Sequence, residues 1–301
     1  MTSIDARNAA ALAARSMLLE RNDFGIRELL SKPPFWGWVP CANGADRFDM
    51  LLGGADDAVA LRFFWNGGYE RTTLAAWAWF ARRGGCIVDI GAHTGAYTLA
   101  AFAAARGTSP VLSFEPHFMN FARLNLNLRA NGFPTANAFM LGVGARSEIL
   151  PFTIRTSLDY LTTGGTLGAA EGGFTRDIQV VALDEFLARQ VRQSVRLVKI
   201  DVEGFEGQCL AGMSALLEEA GPTLFFECIE RRSGAEVQAI LEDYGYRFHL
   251  VDDSSGAVVE VGEIEPQLDA AGRPLMHRLN RVATRAAEPD WPARALGAVT
   301  G

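Results

Sequence analysis

From Cys86 onward, short apolar runs alternate with segments of helical period, and this alternation restricts the fold more than any other feature of the chain. Cys86-Ile87-Val88-Asp89-Ile90, Val111-Leu112-Ser113-Phe114-Glu115 and the runs at 139–143, 196–201 and 223–228 read as strands. Helical patterns follow at 95–106, 118–130, 184–190, 206–217 and 235–244. Strands that alternate with helices of this length predict an α/β fold, with a parallel or mostly parallel sheet covered on both faces. One interruption stands out: 149–154 and 178–183 read as a hairpin whose long tip is rich in glycine and threonine at 157–173. Residues 246–251 and 258–261 read as closing strands.

Ahead of this region, residues 4–31 carry a rough apolar stripe that predicts one helix, ended by Lys32-Pro33-Pro34. The aromatic and glycine-rich stretch from Phe35 to Glu70 predicts short strands and turns, and 72–83 predicts a helix. Past Glu265 the chain is polar with scattered arginines, which predicts a poorly ordered tail. The organisation expected is a helical and aromatic N-terminal cap at 1–83, an α/β domain at 84–264 with a hairpin insertion at 145–182, and a polar C-terminal tail at 265–301.

Composition sets the function classes. With 49% hydrophobic and 21% charged residues in 301, a large core is affordable and global disorder is excluded. The 28 basic and 35 acidic residues leave a net charge of −7, which argues against a nucleic acid or an anionic membrane as the main partner. No apolar run approaches the ~18 residues of a membrane span. The first residues lack the basic-then-apolar order of a secretory signal. Cys41, Cys86, Cys209 and Cys228 form no CxxC, so buried thiols in a reducing, cytoplasmic compartment are expected. Only two lysines, Lys32 and Lys199, among many arginines and alanines suggest a bacterial chain of high-GC coding.

Three segments carry chemistry. In Val88-Asp89-Ile90-Gly91-Ala92-His93-Thr94-Gly95-Ala96-Tyr97-Thr98 a strand ends in a glycine turn and feeds a helix. Gly91 permits the tight turn, and Gly95 is read as allowing a ligand close to the main chain. The G-x-x-x-G spacing matches neither the dinucleotide nor the phosphate-loop signature. Glu115, in Ser113-Phe114-Glu115-Pro116, ends the second strand, where an acid can accept two hydrogen bonds from a ribose diol or simply cap the next helix. Finally, Val198-Lys199-Ile200-Asp201-Val202-Glu203-Gly204-Phe205-Glu206 ends a buried strand with three acids and a lysine. Alternation sets Lys199 and Asp201 on one face, as an ion pair or facing a ligand beyond the strand ends, with Glu203 just past them. Glu206 reads as a helix N-terminal acid.

These segments resemble the FkbM family of S-adenosylmethionine-dependent methyltransferases. The likeness rests on Asp89 to Thr98, Phe114-Glu115-Pro116 and above all Lys199-Ile200-Asp201-Val202-Glu203-Gly204, with Leu124-Asn125-Leu126-Asn127, Ala182-Leu183-Asp184-Glu185 and Gly67-Gly68-Tyr69-Glu70 in support. It spans residues 67–230. The resemblance implies a seven-stranded Rossmann-like methyltransferase sheet, mostly parallel with its last strand antiparallel, and methyl transfer from S-adenosylmethionine, usually to oxygen. It implies that Asp89, Gly91 and Gly95 hold the methionine end and Glu115 the ribose hydroxyls, with His93, Thr94, Tyr97, Thr98 and Pro116 also counted among the cofactor-binding residues. Gly142 and Val143 would lie by the adenine, and Tyr69 and Glu70 would close over the cofactor. Gly142-Val143-Gly144 stands where the family commonly has Ala-Val-Gly, and His93 where asparagine is frequent. His93 is read as a ligand of the cofactor carboxylate, a base near the methyl group, or a residue that satisfies local backbone.

A hydroxyl acceptor gains from a base that takes its proton as the new bond forms. Asp201 is the first candidate, followed by Glu203 and by Glu227 in Phe225-Phe226-Glu227-Cys228. A second reading has the same acids hold a divalent cation, but no spaced oxygen-ligand motif is present, so a metal is not the favoured reading. The expected acceptor is a small molecule or glycan: a sugar, a glycolipid or a natural product. The aromatic N-terminal stretch and the 157–173 loop are expected to contact it or act as a lid. Two alternatives stay open: a nicotinamide-dependent oxidoreductase on a similar sheet, disfavoured by the missing third glycine, and a non-catalytic scaffold that keeps the fold.

Overall fold

The computed structural model describes residues 3–154, 165–167, 173–285 and 291–297. Most of the 157–173 loop lies outside the described residues. The chain opens with α1 (Ile4–Ser16), whose N-cap Ser3 hydroxyl accepts from the Ala6 amide, and α2 (Ile26–Leu30). The single helix expected at 4–31 is therefore broken, because the intervening chain satisfies the end of another helix. Arg15 Nε donates to the Phe64 carbonyl at 2.5 Å and Asn22 donates to the Trp65 carbonyl from its side chain and the Asn66 carbonyl from its backbone. Those carbonyls would otherwise be orphans of a helix C-terminus.

Next come β1 (Phe35–Asn43) and β2 (Asp46–Gly54), an antiparallel hairpin in which Phe48, Met50 and Leu52 alternate inward. The expected run of strands and turns then gives way to α3 (Ala58–Asn66), capped by Asp57, whose side chain accepts from the Val59 and Ala60 amides. Every α3 residue is buried except Arg62. Its nine residues give little more than two turns of pattern, with polar groups only at Arg62 and Asn66, which is why the sequence read as strand and turn. After α4 (Arg71–Ala81) the alternation begins: β3 (Cys86–Ile90), α5 (Ala96–Ala105), β4 (Val111–Phe114), α6 (Phe118–Ala130) and β5 (Ala138–Phe139). The strand expected at 139–143 is divided, since β6 (Gly142–Val143) leaves the main sheet and pairs with β9 (Phe174–Val181). Between them lie β7 (Glu148–Ile154) and β8 (Gly165–Leu167), so the hairpin forms a four-stranded sheet of its own, in the order β6-β9-β7-β8.

The chain continues through α7 (Leu183–Phe186), α8 (Arg189–Ser194), β10 (Val195–Ile200), α9 (Glu206–Ala211), α10 (Ser214–Ala220), β11 (Thr223–Glu227), α11 (Arg231–Asp243), β12 (Tyr246–Asp252), β13 (Ala257–Val261), β14 (Asn280–Arg285) and α12 (Trp291–Gly297). The main sheet has the order β13-β12-β14-β11-β10-β3-β4-β5. Its centre is parallel, and β14 runs antiparallel between β11 and β12. The sheet has eight strands rather than the seven expected, because β13 adds an antiparallel edge.

The segment read as a poorly ordered tail supplies β14 and α12. Arg281 made it look polar, yet Arg281 is buried and its guanidinium donates to the backbone carbonyls of Glu265, Arg278, Leu279 and Asn280. Trp291 is fully buried against Phe80 and His249. Alternate residues of the central strands feed two cores: Ile87, Leu197 and Phe225 join the N-terminal cap, α4 and α5, while Val88, Val198 and Phe226 face α9, α10 and α11. This two-sided burial removes both faces of the sheet from water and leaves its strand ends to build a site.

Candidate active site

At the carboxyl ends of β3, β4, β10 and β11, beneath the N-terminal cap, lies a cavity of about 850 Å³. The tip of β3 is fixed from both sides. The Gly91 and Ala92 amides donate to the Phe114 carbonyl, and the Asp201 amide donates to the Ile90 carbonyl at 3.0 Å. Gly91 has φ +78°, and a Cβ there would meet the Asp201 carbonyl oxygen at 1.9 Å, so only glycine fits. Gly95 has φ +103°, and a Cβ there would meet Leu124 Cδ1 at 2.5 Å, so the glycine makes room for α6.

Thirteen of the candidate residues line the cavity: Tyr69, Glu70, Asp89, Gly91, His93, Tyr97, Glu115, Pro116, Gly142, Val143, Asp201, Glu203 and Glu227. Thr94, Gly95 and Thr98 stand behind its wall. The Thr98 hydroxyl donates to Asp89 Oδ2 at 2.6 Å and meets the Ser113 hydroxyl at 2.8 Å, so it orients Asp89 from below. The Thr94 carbonyl accepts from Asn127.

Glu115 is anchored. Its Oε2 accepts from the His93 amide at 2.7 Å and its Oε1 from the His117 amide at 2.8 Å. The Asn120 side chain is a third donor to the carboxylate, and the lone-pair direction left over is available to a ligand hydroxyl. Burial pushes its carboxyl up to about 7, against those amide hydrogen bonds, which favour the charged form. Asp89 is likewise pushed up to about 6 by burial, with the Thr98 hydroxyl opposing. His117 caps α6 through Nδ1 and is held down at about 4 by burial, so it is neutral. His93 sits at φ +51°, its Nδ1 is 3.2 Å from the Thr94 hydroxyl, and its buried Nε2 has no partner.

The far end of the cavity is organised around Lys199, which is 1% exposed. Lys199 pairs with Asp89 and with Phe225 in register across the sheet. Its Nζ lies 2.9 Å from Asp201 Oδ2 and 4.7 Å from the centre of the Tyr97 ring. Burial opposes its charge, but Asp201, Glu227 and Glu70 outweigh that and hold the ammonium above its ordinary range. Glu70, at φ +40°, accepts a short hydrogen bond from the Tyr97 hydroxyl. Burial raises its carboxyl, and Lys199 works the other way.

Glu227 is raised well above the carboxylate range, by burial first and then by repulsion from Asp201. Glu227 takes no hydrogen bond among the described residues, unlike Asp201, whose carboxylate is bound to Lys199. Glu203, at φ +53°, is exposed at the rim. Among the described residues no group of His, Cys, Asp or Glu converges to hold a metal ion. The four cysteines are free and buried.

Among the cavity residues that sequence reasoning missed are Asp253 and Arg62. Asp253, just past β12, accepts from the Thr72 and Thr73 amides and the Thr73 hydroxyl, capping α4 across 180 residues of chain. Its signal was an acid pair, Asp252-Asp253, closing a strand. Arg62 is the one charged residue in the apolar run Ala58 to Asn66, a contrast visible in the sequence but hidden by the misread helix.

Residues 89–248 match the family described as the methyltransferase FkbM domain, a little over half of the chain. Among solved structures, an FkbM methyltransferase from Methylobacillus flagellatus KT is similar over 75% of this chain and 53% of its own, at 16% identity and a TM-score of 0.41. The chain thus spans about half the length of that protein. A SAM-dependent methyltransferase from Agrobacterium tumefaciens is similar over 88% of this chain and 80% of its own, at 9% identity and a TM-score of 0.43. A SAM-dependent O-methyltransferase from Thermotoga maritima is similar over 70% and 64%, at 13% identity and a TM-score of 0.37. No curated protein matches the chain. No helix among the described residues is long and apolar enough to cross a membrane.

Proposed function

The chain belongs to the FkbM methyltransferase family, and from that premise we propose that it transfers a methyl group from S-adenosylmethionine to a hydroxyl of a sugar, glycolipid or natural-product acceptor. The observation that carries the reading is Glu115: a buried carboxylate at the tip of β4 that lines the cavity beside the Gly91 turn, held by two backbone amides and the Asn120 side chain. That is the geometry a ribose diol requires.

The residues present fit the cofactor. Glu115 accepts from the ribose hydroxyls, with Pro116 beside it. Asp89, oriented by Thr98, and the Gly91 turn hold the methionine end, and the unpartnered Nε2 of His93 offers a further polar contact. Gly142 and Val143 back the adenine, and Tyr69 and Glu70 form the wall toward the acceptor. When bound, S-adenosylmethionine supplies an electrophilic methyl group on sulfur. The protein's task is then to align an acceptor oxygen with it, keep water out and take a proton.

Of the three acids, Glu227 is best placed for the proton, because its carboxyl takes no hydrogen bond among the described residues, whereas Asp201 is committed to Lys199. This reverses the order expected from sequence. Glu203 lies at the solvent rim, where a bulky acceptor would pass. A polyhydroxylated acceptor suits a cavity whose polar wall is chiefly hydrogen-bond acceptors.

Calorimetric titration with S-adenosylhomocysteine, beside a Glu115→Ala variant and an NADH control, tests the reading. The expected result is wild-type binding to the homocysteine product, weakened about tenfold or more in the variant, with no response to NADH. Binding of NADH alone would promote the oxidoreductase reading, and silence from both ligands the scaffold reading.

A further inference from the structure

We propose that Arg62, projecting from the otherwise buried helix α3, binds the α-carboxylate of the cofactor's amino-acid end; the assignment rests on the cofactor reading above. The first observation is electrostatic. The cavity is lined by many carboxylates and few cations, and each of the other strong cations is engaged. Lys199 is bound to Asp201, and Arg71 donates to the Asn66 and Asn22 carbonyls and pairs with Asp23. Among the described residues Arg62 makes neither an ion pair nor a hydrogen bond. Its contact is with the Tyr69 ring, whose centre lies 5.9 Å from the guanidinium carbon. A half-buried guanidinium that pairs with none of the acids around it keeps its planar donor fork for a ligand.

The second observation is where Arg62 stands. Ala58 and Val59, one turn earlier on α3, line the same cavity as Gly91, Ala92 and His93, so Arg62 opens into the cavity that the methionine end is proposed to enter. On that turn the buried Nε2 of His93 also lacks a partner. When the Thr94 hydroxyl donates to Nδ1, Nε2 carries the proton and becomes a second donor. A ligand that brings a carboxylate into so acidic a cavity needs a counter-charge, and Arg62 supplies it. The ligand's α-ammonium, in contrast, finds acids already present.

The experiment compares S-adenosylhomocysteine with its decarboxylated analogue, the same thioether ending in a 3-aminopropyl chain. Each is titrated into the full-length wild type, Arg62→Ala and Arg62→Lys. The expected result is that Arg62→Ala weakens S-adenosylhomocysteine about tenfold or more while changing the decarboxylated ligand by less than about twofold, with Arg62→Lys in between. Equal loss for both ligands, or no loss for either, would overturn the assignment. An Arg62→Ala effect absent for both ligands but present with an anionic acceptor would move the anion to the acceptor and also overturn it. If wild type binds neither ligand, the cofactor reading falls and takes this one with it. Arg62→Gln, which keeps most of the side-chain stem, repeats the comparison if the alanine variant does not fold.

Discussion

The two ends of the cavity bury carboxylates by different means. At the β4 end, Glu115 is held by directed hydrogen bonds: two amides fix its oxygens, and no cation pairs with it. At the β10–β11 end, Asp201, Glu70 and Glu227 share the field of one ammonium, Lys199, which is in hydrogen-bond contact with Asp201. The first arrangement specifies geometry and suits a ligand part that is always the same. The second specifies charge balance and leaves at least one acid, Glu227, free to change its protonation, as an acid that must accept and return a proton requires.

The largest test of this contrast is Lys199→Met. Loss of a buried cation strands the surrounding carboxylates, which costs roughly 3–5 kcal/mol. Because the stranded acids then ionise reluctantly, the deficit should be greatest at pH 8 and shrink toward pH 5, as followed by thermal unfolding at both. An equal loss at both pH values would mean that Lys199 acts through packing alone.

The next effect belongs to Glu115. Its folded carboxyl is raised to about 7, above its ordinary value, so between roughly pH 4.5 and 7 the native state binds more protons than the unfolded one. The unliganded protein should therefore lose stability as pH rises through that window. A ligand whose hydroxyls donate to the carboxylate favours the ionised form, so S-adenosylhomocysteine should bind more tightly at pH 8 than at pH 6 and release a proton at the lower pH. Titrations in buffers of different ionisation enthalpy measure that proton, and affinity independent of pH would remove Glu115 from the contact.

A smaller effect separates the acids of the charged end. Glu227→Gln removes a carboxylate that burial and Asp201 disfavour, and should stabilise the protein by about 1 kcal/mol at pH 8, with no gain at pH 5. The same variant should bind S-adenosylhomocysteine normally and lose methyl transfer to any accepted substrate. Asp201→Asn, by contrast, should destabilise, since it unpairs Lys199.

The acids at the strand ends were legible because alternation and strand termini follow from local pattern: Asp89, Glu115, Asp201 and Glu227 all meet in the cavity. The residues that were not legible depend on contacts between distant segments. Helix α3 is short and almost wholly buried, with polar groups only at Arg62 and Asn66, so its apolar run read as strand and Arg62 was lost with it. β14 was hidden because Arg281 looks like a surface residue until four backbone carbonyls close around it. The motif shows that Gly95 lacks a side chain but not that Leu124 packs where one would stand.

The position of β14 has a consequence for how the chain is made. Strands β11 and β12 are hydrogen-bonded not to each other but to a strand whose residues come later in the sequence. During synthesis from the N-terminus, the outer edge of β11, with the backbone of Phe225 and Phe226, stays unpaired until residues 280–285 have been translated and have inserted between two elements already formed. The nascent protein thus passes through a stage with an open, apolar strand edge on which another chain could pair, and it closes that edge with a strand that follows β12 and β13 in the sequence.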